Sequence, residues 1–117
     1  MVQKNEKKLV EDLNSLPTPD FSGLLWSDYL SPEPVASFQT SRGCYYGKCT
    51  FCSLSFRDNF RLRDPQKVVE DMRKIHLQTG SRMFLLWDSL SPPKTLRAVA
   101  QEIKKRDLGF YFFAETK

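Results

Sequence analysis

The chain has 117 residues, 40% of them hydrophobic and 27% charged, with a formal net charge of +4. That length holds one small core and excludes two comfortable domains, and that composition excludes wholesale disorder. No stretch approaches the roughly 18 to 20 apolar residues of a membrane span, and the lysine-rich start is unlike a signal peptide, so a cytoplasmic protein without membrane contact is expected.

In chain order, Leu9, Val10, Leu13 and Leu16 recur at helical spacing and predict a short amphipathic helix over Lys4 to Leu16, closed by Pro17. Pro17, Pro19, Pro32 and Pro34, interleaved with Phe21, Trp26 and Tyr29, make the following stretch an ordered but irregular connection. Residues 1–34 are therefore read as a helix and Pro-rich linker, the end of an upstream domain or a connection, and 35–117 as the folded segment proper.

Val35 to Thr40 predicts a first strand, and Ser41 to Asn59 a loop. Asp64-Pro65 is a helix start, with Val68, Val69, Met72 and Ile75 on one apolar face up to Gly80. The almost wholly apolar run Met83 to Trp87 predicts a second, buried strand. Ser91-Pro92-Pro93 opens a second helix, in which Leu96, Val99, Ala100 and Ile103 share a face and which Gly109 ends. Phe110 to Ala114 predicts a third buried strand, and Trp87 and Phe110 to Phe113 are read as core. The order is βαβαβ, for which helical crossovers require parallel strands and right-handed connections. A three-stranded parallel sheet with two helices is incomplete, so the fold is expected to continue past residue 117.

In parallel α/β folds ligands bind beyond the carboxyl ends of the strands. The three predicted strands end respectively at the loop carrying Cys44, Cys49 and Cys52, at Asp88-Ser89, and at Glu115-Thr116, so these groups are expected to share one rim. Three cysteines within nine residues cannot complete a disulfide framework and point to metal. Four residues separate Cys44 from Cys49 and two separate Cys49 from Cys52, so one loop wraps one centre and leaves one ligand position open. For a 4Fe-4S cluster the open position is an iron without a thiolate; for zinc it is the fourth tetrahedral site. His76, the single histidine, is a candidate fourth zinc ligand, but its place down the first helix puts it toward the opposite rim. Between Ser41 and Arg63 lie Arg42, Lys48, Arg57, Arg61 and Arg63 against Asp58 alone, a local positive field suited to an anionic cluster or ligand.

The segment Ser31 to Cys52, most specifically Thr40 to Cys52, resembles the cluster-binding region of radical S-adenosylmethionine (SAM) enzymes, especially those that follow a cobalamin-binding domain. The usual cysteine spacing there is three then two, against four then two here. The resemblance implies the first part of a partial (β/α) radical SAM barrel, with Cys44, Cys49 and Cys52 holding a 4Fe-4S cluster and Phe51 packing near the cluster and the SAM adenine. It implies that Asp88 and Ser89 contact the SAM amino group and that Glu115 touches SAM or substrate, although the usual glycine-glycine-glutamate form is absent. The implied chemistry is reductive cleavage of SAM to methionine and a 5'-deoxyadenosyl radical, fed by a donor such as a flavodoxin or ferredoxin. Cobalamin-linked methyl transfer would use a corrin domain upstream of Met1. The substrate, a small molecule or a peptide, is not identified, and no residue is assigned as catalytic.

For the residues alone, blander roles compete. Tyr45, Tyr46 and Phe51 would pack the loop, and Asp88 would cap the second helix. Two other readings of the whole are a zinc module using the basic loop on nucleic acid, and a folded fragment of a radical enzyme that cannot turn over.

Overall fold

The structure is a computed structural model that describes residues 10–53 and 59–117. A 3-10 turn at Leu13–Ser15 and another at Trp26–Asp28 precede five strands and two helices: β1 (Val35–Phe38), β2 (Ser41–Arg42), β3 (Arg61–Leu62), α1 (Pro65–Thr79), β4 (Met83–Leu86), α2 (Pro93–Lys105) and β5 (Tyr111–Ala114). The larger sheet is parallel in the order β1-β4-β5, as the βαβαβ pattern requires. A small antiparallel ribbon of β2 and β3 is inserted before α1, pairing Ser41 with Leu62 and Arg42 with Arg61.

The register stacks Ala36, Phe84 and Phe112 in one row and Phe38, Leu86 and Ala114 in the next but one, all on one face. Val68, Val69, Met72 and Ile75 of α1 and Val99 and Ile103 of α2 close over that face in a single core. Each large side chain buried there is worth about 1.5–3 kcal/mol. Both helices thus lie on the same side of a sheet whose strands follow chain order without reversal. A segment of a (β/α) barrel is wound in this way, and so is one βαβαβ half of a doubly wound sheet.

The opposite face explains where burial was overestimated. Val35, Ser37, Leu85, Tyr111 and Phe113 alternate onto it, and Tyr111 and Phe113 are more than half exposed, as is Trp87. β5 is therefore not a buried strand and Trp87, Tyr111 and Phe113 are not core, because no layer covers the β5 side of this face among the described residues. On α2, Thr95 joins Val99 and Ile103 in the buried stripe while Ala100 is exposed, since one residue turns the helix by about 100°. That helix ends at Lys105, before Gly109, and Asp107 takes a positive φ of 51° in the turn between.

The predicted helix over Lys4 to Leu16 falls outside the described residues as far as Leu9. From Val10 onward the chain forms a single 3-10 turn, in which the Asp12 carboxylate accepts the Asn14 N–H at 2.9 Å. Short polar side chains that bond their own backbone compete with helix in this way. Leu13 is nevertheless buried. The Pro-rich stretch runs along α1, where the Phe21 N–H donates to Gln78 and the Thr18 hydroxyl to Asp71 at 2.6 Å. Asp71 is fully buried in α1 and also takes Arg63 and Lys67. One carboxylate thereby fastens the linker, the exit of the ribbon and the helix.

α1 stops where Gly80 enters the left-handed region at φ 74°, its N–H donating to the His76 carbonyl. A Cβ there would touch nothing within 4 Å. Gly80→Ala is therefore expected to cost only the conformational term, about 1 kcal/mol, read as a lower urea midpoint at unchanged slope.

Candidate functional site

The cysteine loop leaves the ribbon at Gly43 and returns at Phe60, so β2 and β3 pin its two ends. Gly43 and Gly47 have φ of 80° and 58°, a backbone that residues with a Cβ adopt only at a cost. These turns bring Cys44, Cys49 and Cys52 to the walls of one small pocket, together with Gly47. All three thiols are free, Cys49 exposed and the other two partly so. Among the described residues, no three His, Cys, Asp or Glu side chains are grouped to hold a single metal ion. A zinc ion at about 2.3 Å from each sulfur needs thiols packed tightly around one point, whereas a four-iron cluster takes one thiolate per iron and spreads them. Three free thiols around one pocket on glycine-hinged backbone are the donor type that a four-iron cluster takes.

The loop meets the third strand's exit. The Tyr45 hydroxyl donates to the Lys117 carbonyl at 3.2 Å, and the Lys117 ammonium lies 3.5 Å from the centroid of the Tyr46 ring. Tyr45 also sets its ring edge-on to Phe60. Both tyrosines thus pack the loop. Phe51, beside Cys52, is fully exposed.

Asp88 is buried and its carboxylate is fully engaged. One oxygen accepts the backbone N–H groups of Thr40 and Ser41 at 2.7 and 2.8 Å; the other takes the Thr40 hydroxyl and, at 2.6 Å, that of Ser91. It is not the cap of α2, whose N-cap is Pro92. Ser91 continues the brace, because its N–H donates to the Glu115 carbonyl and its own carbonyl accepts the Thr116 hydroxyl. Thr40-Ser41, Asp88-Ser91 and Glu115-Thr116 follow β1, β4 and β5. The three strand exits are therefore tied into one rim, at the head of the cysteine loop.

Ser89 and Glu115 are exposed on this rim. A pocket between the ends of β4 and β5 is lined by Leu85, Leu86, Trp87, Asp88, Phe113 and Glu115. Trp87 and Phe113 are thus pocket walls that the sequence presented as core. Thr40, Ser41 and Ser91 had no place among the expected site residues, although a Thr-Ser pair directly after one strand and Asp-x-x-Ser after the next are the available signal. His76 is elsewhere: its Nδ1 lies 3.0 Å from the Ser81 carbonyl and its ring packs on Phe110, both at the amino ends of strands. Of the basic cluster, Arg63 is buried against Asp71 and adds little field at the loop, while Arg57 lies outside the described residues.

No family profile matches the chain, and no solved structure matches it at a significant level. It is 34% identical over 115 residues to the anaerobic magnesium-protoporphyrin IX monomethyl ester cyclase of Rubrivivax gelatinosus, covering 92% of this chain and 20% of that protein. With the protein of the same name from Cereibacter sphaeroides it shares 36% identity over 84 residues, 68% of this chain and 13% of the relative. An uncharacterized methyltransferase of Pyrococcus horikoshii is 25% identical over 116 residues, 95% of this chain and 25% of the relative. The chain thus spans about a fifth of the length of the curated relatives it matches. These relatives are enzymes by name, and the chain is related in sequence to one segment of them, a kinship that supports the superfamily its cysteine segment resembles.

Proposed function

We propose that this chain is the cluster-bearing segment of a radical SAM enzyme, in which Cys44, Cys49 and Cys52 hold a 4Fe-4S cluster with one iron left for SAM. The observation that carries the reading is the convergence of the three thiols on one pocket at the carboxyl rim. The kinship with named cyclases adds support. When bound and reduced by a flavodoxin or ferredoxin, such a cluster supplies the electron that cleaves SAM to methionine and a 5'-deoxyadenosyl radical.

The chain's own residues bind and position. Asp88 holds Thr40 and Ser41, and through them the start of the cysteine loop, at a fixed place on the rim. The adjoining pocket offers Trp87 and Phe113 as apolar walls, with Glu115 at its edge and Ser89 exposed on the same rim. In this reading Ser89 and Glu115 meet the polar end of SAM, and Phe51 covers the cluster side. Because Asp88 spends its carboxylate inside the protein, it acts as a positioning residue. The sheet would continue as a partial barrel, and the reaction of the whole protein, ring closure or cobalamin-linked methyl transfer with a corrin domain, is carried by parts outside this segment.

Anaerobic reconstitution with iron and sulfide is expected to give a brown protein with about four irons per chain, the content of one cluster. Stoichiometric zinc without iron uptake would overturn the proposal.

A further inference from the structure

A second cleft lies away from the pocket between β4 and β5. It is bounded on one side by Leu13, Leu16, Pro17 and Pro19 of the amino-terminal stretch, and on the other by β1, Arg42 and Arg63. Its volume of about 370 Å³ falls in the range of small-molecule sites. Most of its wall is apolar and, at the two prolines, conformationally stiff.

Its charge is unbalanced. Arg63 is nineteen-twentieths buried and paired with Asp71, yet its Nε has no hydrogen-bond partner among the described residues. Arg42 is only partly exposed and its guanidinium makes no ion pair or hydrogen bond among them, nor does the Ser37 hydroxyl of β1. No acidic side chain lines the cleft among the described residues, and Asp12, next to Leu13 of its wall, accepts the Asn14 N–H. A guanidinium held half-buried beside an apolar cleft, with no carboxylate to meet it, favours an incoming anion.

We infer that this cleft binds a small molecule consisting of an apolar body and one carboxylate, with Arg42 taking the carboxylate and Ser37 adding a hydroxyl donor. A carboxylate is the match at Arg42, because its guanidinium is unpaired there while Arg63 already has Asp71, which it shares with Lys67. The apolar body lies along Leu13, Leu16 and the prolines. Arg42 stands two residues before Cys44, so such a ligand is anchored beside the cysteine loop. The inference needs neither cluster nor SAM, and its test is read on the metal-free chain.

Octanoate serves as the probe in an amide NMR titration of the 117-residue protein. Saturable shifts at Leu16, Ser37, Gln39 and Arg42, with a Kd below about 1 mM, are expected. Arg42→Gln is expected to weaken octanoate about tenfold or more, as the loss of a charge-assisted pair does. Unchanged weak binding of 1-octanol by this variant would show that the cleft is still formed. Absence of saturable shifts, or equal octanoate affinity in Arg42→Gln, overturns the inference. So does inorganic phosphate shifting the same amides as tightly as octanoate, since the apolar wall would then contribute nothing.

Discussion

Cys49→Ala is expected to lower iron content after anaerobic reconstitution from about four per chain to less than about one, whereas His76→Ala keeps all four. Cys49 is the exposed member of the three, stands between the other two in sequence and follows both left-handed glycines of the loop, Gly43 and Gly47. Removing it leaves Cys44 and Cys52 with two irons unligated by protein, too few contacts to retain a cluster against chelation. His76 is the informative control, because it is the one histidine and its ring nitrogen is committed to Ser81 at the far end of α1. Iron and sulfide assays with the visible absorption of the purified variants decide the matter. Loss of metal from His76→Ala alone would restore the zinc reading, in which a distant imidazole completes a tetrahedral set.

The parallel sheet was legible because its signals are long and redundant. Asp64-Pro65 and Gly80 bracket α1 as start and stop residues do, and Val68, Val69, Met72 and Ile75 are all fully buried as their spacing predicts. The rim was legible for a different reason, since topology alone places the ends of parallel strands together. The β2-β3 ribbon was not legible. Each arm is two residues long, Ser41-Arg42 and Arg61-Leu62, and no period can be read over two residues. The exposure of β5 was hidden by composition: Phe110 to Ala114 is apolar on both faces, so burial depends on a covering layer rather than on the strand's own pattern.

Charge misled in a related way. Arg63 counted toward a positive loop, but Asp71, eight residues on, neutralises it inside the protein. Sequence spacing alone does not reveal that Arg63 leaves β3 just as α1 begins, with the Asp71 side chain turned toward it. Arg42 was counted in the same cluster and has no such carboxylate partner among the described residues. Two residues of one type in one stretch therefore differ in role through their neighbours in space.

The same distinction separates a structural carboxylate from a ligand-binding one at Asp88, and substitution can tell them apart. Asp88→Ala orphans the N–H groups of Thr40 and Ser41, which are buried and cannot turn to water, and is expected to cost about 3–5 kcal/mol. For a domain of this size that is a large share of the total. Asp88→Asn keeps an oxygen for those two N–H groups, and the hydroxyls of Thr40 and Ser91 can rotate to accept from its amide, so a loss of only about 1 kcal/mol is expected. Urea denaturation of the two variants reads this difference. If Asp88 acts only by holding the strand ends, Asp88→Asn also keeps the reconstituted cluster and its affinity for SAM. If its carboxylate touches SAM directly, Asp88→Asn folds and holds iron but binds SAM weakly, and the role in SAM recognition then passes from Ser89 and Glu115 to Asp88 itself.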